Sequence, residues 1–378
     1  MEAAIVRQIN RCVREQETPA VSLQLIEPVT ESIARFPSTR YYGSKRKLLG
    51  WMYRHLAGLR FETVLDAFGG TGSVSLLFKA MRKRVTYHDG MRFNADVAQT
   101  LLADDLAFTR AELEALLESV TPCTATIARR FDGVFFTAAE NRWLDGFIKA
   151  LAEAMLSDKH IALARYLLYQ ACLKKRPFNL FHRANLGLRT KSGVKRSFGN
   201  AVTWERSFAH HMVQAYDELP RLALPRTPSV TILPASDPNL ISPGYDLVYV
   251  DPPYINREQR YNRDDYWRRY HFLEGLACYP HWDAQIDPAS DIGLFPAPDW
   301  FGEWSRIGTF KDRLFAFIDA HRNSIVVLSY VSGAHPSEAE LKTHFEDRFA
   351  EVSVHSAPHH HALSKSRKRE LLFIGRPK

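Results

Sequence analysis

Apolar residues alternate with polar ones in two different rhythms along this chain. Thr63 to Asp66 and Arg84 to His88 are short β-branched and aromatic runs that predict strands. Each leads into a stretch of helical spacing, Val74 to Met81 and Phe93 to Leu102. A helix is also expected over Leu48 to Leu59, and residues 1–35 read as a helix and linker broken at Thr18-Pro19. From about 104 to 225 the strand signal fades, and Ala111 to Val120, Ala138 to Leu156 and Ile161 to Cys172 predict helices. Lys174 to Glu205 reads as a long irregular segment. Strand rhythm returns at Val230 to Leu233, Asp246 to Val250, Ile325 to Tyr330, Glu351 to His355 and Glu370 to Ile374. Strand, glycine turn, helix, strand, acid, helix is a βαβ unit. The expected fold is therefore α/β, a Rossmann-like sheet over 36–105 and 226–378, interrupted by a mainly helical insertion over 106–225.

Composition adds bounds. The chain has 378 residues, enough for a large domain and a smaller one. It carries no run of eighteen apolar residues, and its first fifteen residues lack the apolar centre of a signal peptide. Its four cysteines, Cys12, Cys123, Cys172 and Cys278, form no CxxC pair, so reduced thiols in a cytoplasmic protein are expected and no metal site is. The formal charge of +8 favours a polyanionic partner.

The chemistry concentrates at strand ends. Asp251-Pro252-Pro253-Tyr254 follows the apolar run ending at Val250. The aspartate carboxylate and the Pro252 carbonyl are both acceptors, the prolines hold φ near about −65°, and the tyrosine offers a ring face. Such a set suits an exocyclic amine on a planar base, although Asp-Pro-Pro also marks an ordinary turn. Leu65 to Ser73 is a glycine-rich turn in which Asp66, Phe68, Gly70 and Gly72 let backbone approach a ligand. It is neither GxGxxG nor a P-loop, which favours a nucleoside bearing an amino acid over a pyrophosphate; S-adenosylmethionine fits. Asp89, at the next strand end, is placed to accept ribose hydroxyls. Lys45, in Tyr41-Tyr42-Gly43-Ser44-Lys45, is placed to meet a cofactor carboxylate.

Lys174, Lys175, Arg176, Asn179, Arg183, Asn185, Arg189, Lys191, Lys195 and Arg196 interleave basic and amide groups with aromatics, a pattern suited to phosphate contacts and base reading. Arg257 to Arg269 reads as a basic, aromatic loop that closes on substrate, and His359 to His361 with Lys365, Arg367, Lys368 and Arg369 as a phosphate-touching hairpin loop.

Taken together, the YxGxK-like segment (Tyr42, Gly43, Lys45), the DxFxGxG turn (Asp66, Phe68, Gly70, Gly72), the strand-end acid Asp89 and the DPPY tetrapeptide (Asp251 to Tyr254) resemble the D12-class, Dam-like, adenine-specific DNA methyltransferases. The resemblance spans roughly 38 to 376. It implies methyl transfer from S-adenosylmethionine to N6 of a flipped adenine in double-stranded DNA, in a setting that admits a cognate restriction endonuclease. It places Tyr41, Lys45, Asp89 and Asp251 at cofactor positions, with Asp66 to Gly72 along the methionine part. The family's acid for the cofactor adenine has Asp237 as its candidate here. Three other readings stand beside this one. They are N4-cytosine methylation, a catalytically silent DNA-binding module, and protein-amide methylation, which would more naturally carry Asn at position 251.

Overall fold

The computed structural model describes residues 29–34, 36, 39, 41, 44–105, 108–219, 230–256, 265–359 and 368–378. The strands are β1 (Thr63–Asp66), β2 (Arg84–Tyr87), β3 (Thr231–Ile232), β4 (Leu247–Val250), β5 (Ile255–Asn256), β6 (Ile325–Val331), β7 (Ala334–His335), β8 (Glu351–His359) and β9 (Lys368–Arg376). Seven of them form one mixed, mostly parallel sheet in the order β3-β2-β1-β4-β6-β9-β8. The run from β3 to β6 is parallel, while β9 lies antiparallel to both β6 and β8. β5 and β7 pair apart from it as a short antiparallel ribbon, which the sequence pattern did not predict.

The helices that build the layers are α1 (Leu49–Leu56), α2 (Ser73–Ala80), α3 (Arg92–Leu101), α4 (Ala138–Glu153), α5 (Asp158–Lys175), α6 (Phe208–Glu218), α7 (Tyr266–Ala277), α8 (Ile307–Ala320) and α9 (Glu338–Arg348). Both faces of the sheet are covered, which is why its central strands are apolar at nearly every position. Side chains alternate across a strand. Val64, Leu247, Tyr249 and Val327 thus point to one face, against Leu49, Met52 and Leu56 of α1 and Leu77 and Phe78 of α2. Leu65, Val248, Val250, Val326 and Leu328 point to the other, against Phe310, Leu314 and Phe317 of α8 and Leu341 and Phe345 of α9. Fully burying each such side chain contributes about 1.5–3 kcal/mol.

A second core gathers the helices that follow β2, together with α7 from beyond β5. Phe93 and Val97 of α3, Leu144 and Phe147 of α4, Leu167 and Leu168 of α5, Met212 of α6 and Phe272 and Leu273 of α7 share it. Helix α3 belongs to the βαβ unit, and Asp96 fastens it to α5 by accepting from the Tyr169 hydroxyl at 2.7 Å. Among the described residues no helix is long and apolar enough to cross a membrane.

Two expectations change. The segment 174–205 is not wholly irregular, since Pro177–Asn179, Gly187–Thr190 and Phe198–Glu205 each form a helical turn or short helix. The basic loop expected at 257–269 ends early: the Asp265 side chain accepts from the Arg268 amide at 3.0 Å and starts α7 at Tyr266. The remainder of that loop, 257–264, lies outside the described residues, as do 360–367 and residues 1–28 of the helix and linker expected over 1–35; residues 29–34 of that stretch are helical.

The chain leaves β1 toward β2 and β3 on one side and reaches β4 and β6 on the other. The carboxyl ends of β1 and β4 therefore flank the point where the strand order reverses. Open α/β sheets bind ligands in the crevice at such a point.

Candidate active site

In the β1–β4 pairing Asp66 lies beside Tyr249, so Asp251 falls just beyond the same edge. Asp66 is fully buried, and one of its carboxylate oxygens, Oδ2, accepts from Ser75 at 2.6 Å. Its other oxygen, Oδ1, is buried without a hydrogen-bond partner. The turn after it is shaped by glycines. A Cβ on Gly69 would stand 2.1 Å from the Tyr87 ring, and Gly70 takes a φ of +51°, a region open mainly to glycine. Gly72, at φ +74°, starts α2. Phe68 turns back into the core, edge-on to Trp304 at 5.0 Å.

Asp89 closes this turn from β2. One oxygen accepts from the Gly70 amide at 2.9 Å, and the other from the Met91 amide and the Asn94 side chain, each at 2.9 Å. Asn94 also reaches the Tyr41 hydroxyl at 3.3 Å. Tyr41 stacks on Tyr270 with centroids 4.7 Å apart. Its YxGxK-like neighbours Tyr42 and Gly43 lie outside the described residues.

The DPPY end forms a compact ionic network. Lys45 Nζ stands 3.2 Å from Asp251 Oδ1 and 2.7 Å from Glu370 Oε1, and it also donates to the Tyr254 hydroxyl. That hydroxyl lies 2.8 Å from Asp251 Oδ1 and 3.0 Å from Glu370 Oε1. A phenol has one proton, so it serves one carboxylate at a time. Ser329 Oγ completes the set, donating to Glu370 Oε1 at 2.6 Å. The Asp251 side chain keeps 17% of its surface exposed, against 6% for Lys45 and none for Glu370. Pro252 is buried and Pro253 half-buried.

Sequence reasoning missed Glu370 and Ser329. The signal available was an acid in the strand run Glu370 to Ile374, where burial on both faces calls for apolar residues. Lys45, expected to meet a ligand carboxylate, has its ammonium committed to three groups of the chain itself. The Tyr254 ring, expected to offer a stacking face, is held by its hydroxyl and packs edge-on to Tyr330 at 5.5 Å.

Burial raises Asp66 to about 7, with Asp251 and Asp89 adding repulsion against the hydrogen bond from Ser75. Burial raises Asp251 to about 6, opposed by Lys45 and reinforced by Glu370. Asp89 is also raised, chiefly by burial, against the donors Asn94, Met91 and Gly70. For Lys45, burial favours the neutral amine, but Asp251 and Glu370 outweigh it and hold the ammonium above its ordinary range. Three carboxylates thus crowd the strand ends, an arrangement that can stabilise a bound cation and accept protons.

Asp237 lies near this edge but is engaged. Its carboxylate pairs with Arg313 and accepts from Trp304 Nε1 and the Asn239 amide, each at 3.1 Å. Burial alone would raise it, yet the hydrogen bonds from Arg313, Trp304 and the Asn239 amide, with the charge of Arg313, together outweigh that and hold it below its usual range.

The ten residues expected to touch DNA separate sharply. Lys175 and Arg176 are interior, only 2% and 1% exposed. Lys175 donates to the Trp204 carbonyl at 2.8 Å and pairs with Glu140 at 2.8 Å; Arg189, also buried at its side chain, pairs with the same Glu140 oxygen at 2.7 Å. Arg176 donates to the carbonyls of Leu180 at 3.0 Å and Arg183 at 2.8 Å and lies over the Phe135 ring. Burial lowers it to about 9. In this arrangement these three brace the segment from the interior. Arg196 holds the end of the Gly187–Thr190 turn through the Leu188 and Lys191 carbonyls at 2.8 and 2.6 Å. Lys174 is 3.8 Å from Glu218, and Asn179 takes a φ of +57°. Asn185 is half-buried, whereas Arg183, Lys191 and Lys195 are exposed, as are the rings of Phe178 and Phe198.

Residues 41–126 match the family model for the D12 class N6 adenine-specific DNA methyltransferase. The matched stretch holds Tyr41, Lys45, the Asp66–Gly72 turn and Asp89, and stops short of Asp251. Over these residues it bears out the family resemblance and, with it, the enzyme class, an adenine-specific DNA methyltransferase; the rest of the expected span, 127–376, lies outside the match. No curated protein matches the chain.

Proposed function

We propose that this adenine-specific DNA methyltransferase takes its methyl group from S-adenosylmethionine and delivers it to N6 of an adenine turned out of duplex DNA. The fold assigned to that task is a Rossmann-like methyltransferase sheet with the helical segment 106–225 as its DNA-reading insertion. One observation carries the reading. The Lys45–Asp251–Tyr254 network stands one strand away from the acid-and-glycine turn that runs from Asp66 to Gly72.

The residues at the strand ends fit a cationic nucleoside donor. Asp66, Asp89 and Asp251 crowd one another, and each is held above its ordinary range chiefly by burial. A positively charged ligand relieves that crowding. When bound, S-adenosylmethionine supplies an electrophilic methyl carbon on a sulfonium. The backbone from Gly69 to Gly72 would line it closely, and Asp89 would meet the ribose hydroxyls.

On the base side, Lys45 and Tyr254 both engage Asp251 Oδ1. Oδ2 is therefore the oxygen assigned to the target amine, together with the Pro252 carbonyl. Accepting the two N–H bonds aims the nitrogen lone pair at the methyl carbon and stabilises the positive charge that develops on nitrogen. The nitrogen then loses a proton, and Asp251 is the acceptor in reach. Holding the partners in line supplies much of the rate. The base must leave the stack because the duplex hides N6. On family resemblance alone, the proposal extends to a restriction–modification setting with a cognate endonuclease.

The test is to incubate the protein with labelled S-adenosylmethionine and duplex DNA of varied sequence, digest the product and identify the labelled nucleoside. N6-methyldeoxyadenosine is expected. Label in N4-methyldeoxycytidine, or in no nucleoside, overturns the reading.

A further inference from the structure

Glu370 is the acid whose placement goes furthest beyond the motifs. It lies in β9, opposite Val331 of β6, and is fully buried. Burying a carboxylate is costly unless charge and hydrogen bonds compensate, and an apolar side chain would fill a strand position at lower cost. The compensation comes from the active-site network itself: Lys45 Nζ at 2.7 Å, Ser329 Oγ at 2.6 Å and the Tyr254 hydroxyl at 3.0 Å, all on Oε1. Glu370 therefore touches both groups that hold Asp251 Oδ1, from a fully buried position.

We propose that Glu370 is a positioning residue for methyl transfer, clamping Lys45 and Tyr254 so that Asp251 presents one oxygen to the amine. In doing so it sets a second negative charge behind Asp251. The inference rests on the methyl-transfer reading above. In the reaction the adenine nitrogen forms its bond to the methyl carbon while the carbon–sulfur electron pair stays with sulfur. The nitrogen, now cationic, sheds one of its two protons to Asp251 and thence to solvent. A lysine alone behind Asp251 would weaken it as a proton acceptor; Glu370 shares that lysine and offsets its charge.

The groups facing Asp251 give the sign of the effect. Burial raises it to about 6, Lys45 opposes, Glu370 reinforces and Tyr254 opposes. Asp66 on β1 and Tyr249 on β4 also feel its charge. Removing the Glu370 charge removes a raising influence, so Asp251 must titrate at lower pH.

The experiment measures kcat, KM and the pH profile of methyl transfer for the wild-type chain, Glu370→Gln and Glu370→Asp, with circular dichroism as the check on folding. Glu370→Gln is expected to lower kcat about tenfold or more, change KM for S-adenosylmethionine less than about threefold, and move the acid limb to lower pH. Glu370→Asp keeps the charge but shortens the reach, so kcat should fall while the acid limb stays near its wild-type position. Normal kcat in either folded variant overturns the clamp. An acid limb that stays fixed in Glu370→Gln, or moves in Glu370→Asp, reduces Glu370 to scaffolding; should Glu370→Gln not fold, Glu370→Asp alone decides. A wild-type chain that methylates no adenine removes the underlying reading instead, which separates the two failures.

Discussion

The phenol of Tyr254 touches two carboxylates and a lysine, and its worth is decided by what happens when its oxygen is removed. In Tyr254→Phe the ring stays, while Asp251 and Glu370 lose their shared donor. A hydrogen bond to a charged group contributes about 1.5–3 kcal/mol. Methyl transfer by Tyr254→Phe should therefore slow by about 10- to 100-fold in kcat, with KM for DNA nearly unchanged. Tyr254→Ala, which also loses the ring face, should raise KM for DNA as well. Equal kinetics for wild type and Tyr254→Phe would show that the hydroxyl contacts are idle. At this scale the sequence was uneven. Asp251 to Tyr254, Asp66 and Asp89 were legible because acids and prolines at strand ends have few structural explanations. Glu370 and Ser329 were not, because Glu370 ends a charged run at the start of an apolar strand and Ser329 is a lone polar residue in another; the pairing of β6 with β9 brings these two together, and Glu370 meets Lys45 across 325 positions of chain.

Helices and loops carry the second lesson. A basic run in sequence does not say which charges face outward. Glu140 shows why: it caps α4 by accepting from the Thr137 amide at 2.9 Å, and its other oxygen takes Lys175 and Arg189. Removing a partner of a buried ion pair costs about 3–5 kcal/mol, because the remaining charge is left in the interior. Lys175→Ala should thus lower the unfolding midpoint. Any DNA still bound by the folded fraction should show an unaltered salt dependence. Lys191→Ala with Lys195→Ala should do the reverse, leaving the unfolding midpoint within about 1 °C. If each lysine meets one phosphate, the slope of log affinity against log salt should fall by about 0.9 per lysine. Unchanged binding in the double variant would show that the exposed part of 177–205 stays clear of DNA. The seven strands of the main sheet and helices α1 to α5 were legible from periodicity with ends displaced by a few residues, whereas α6 to α9 were not placed. The β5–β7 ribbon was not, since two-residue strands leave no period to read.

Across the whole molecule, the order β3-β2-β1-β4-β6-β9-β8 turns scattered motifs into one edge. The sequence supplied the strands and the acids at their ends; their adjacency came from pairings between distant segments, such as Leu65 with Val248. Crowding acids there has a consequence for stability. Asp66 and Glu274 are both raised to about 7, chiefly by burial. A carboxyl with a raised folded value stabilises the fold when protonated, fully at acid pH, and that contribution is lost as pH rises through the folded value. His55 and His321, lowered by burial to about 4, and His271, lowered to about 3, act in the opposite direction as pH rises past the ordinary imidazole value of about 6.5. The acid contribution is therefore read as a difference: between pH 6.5 and 8.5 the unliganded wild-type chain should lose about 1 kcal/mol relative to Glu274→Gln, which keeps every histidine. Denaturant unfolding of both chains across that range checks the sign, and a wild type that loses no more than Glu274→Gln would contradict it. The central claim is tested most directly at Asp251. Asp251→Ala should stay folded and bind duplex DNA, yet place at least about 100-fold less label from S-adenosylmethionine into N6-methyldeoxyadenosine than the wild-type chain does. Near-normal labelling by Asp251→Ala would contradict the account.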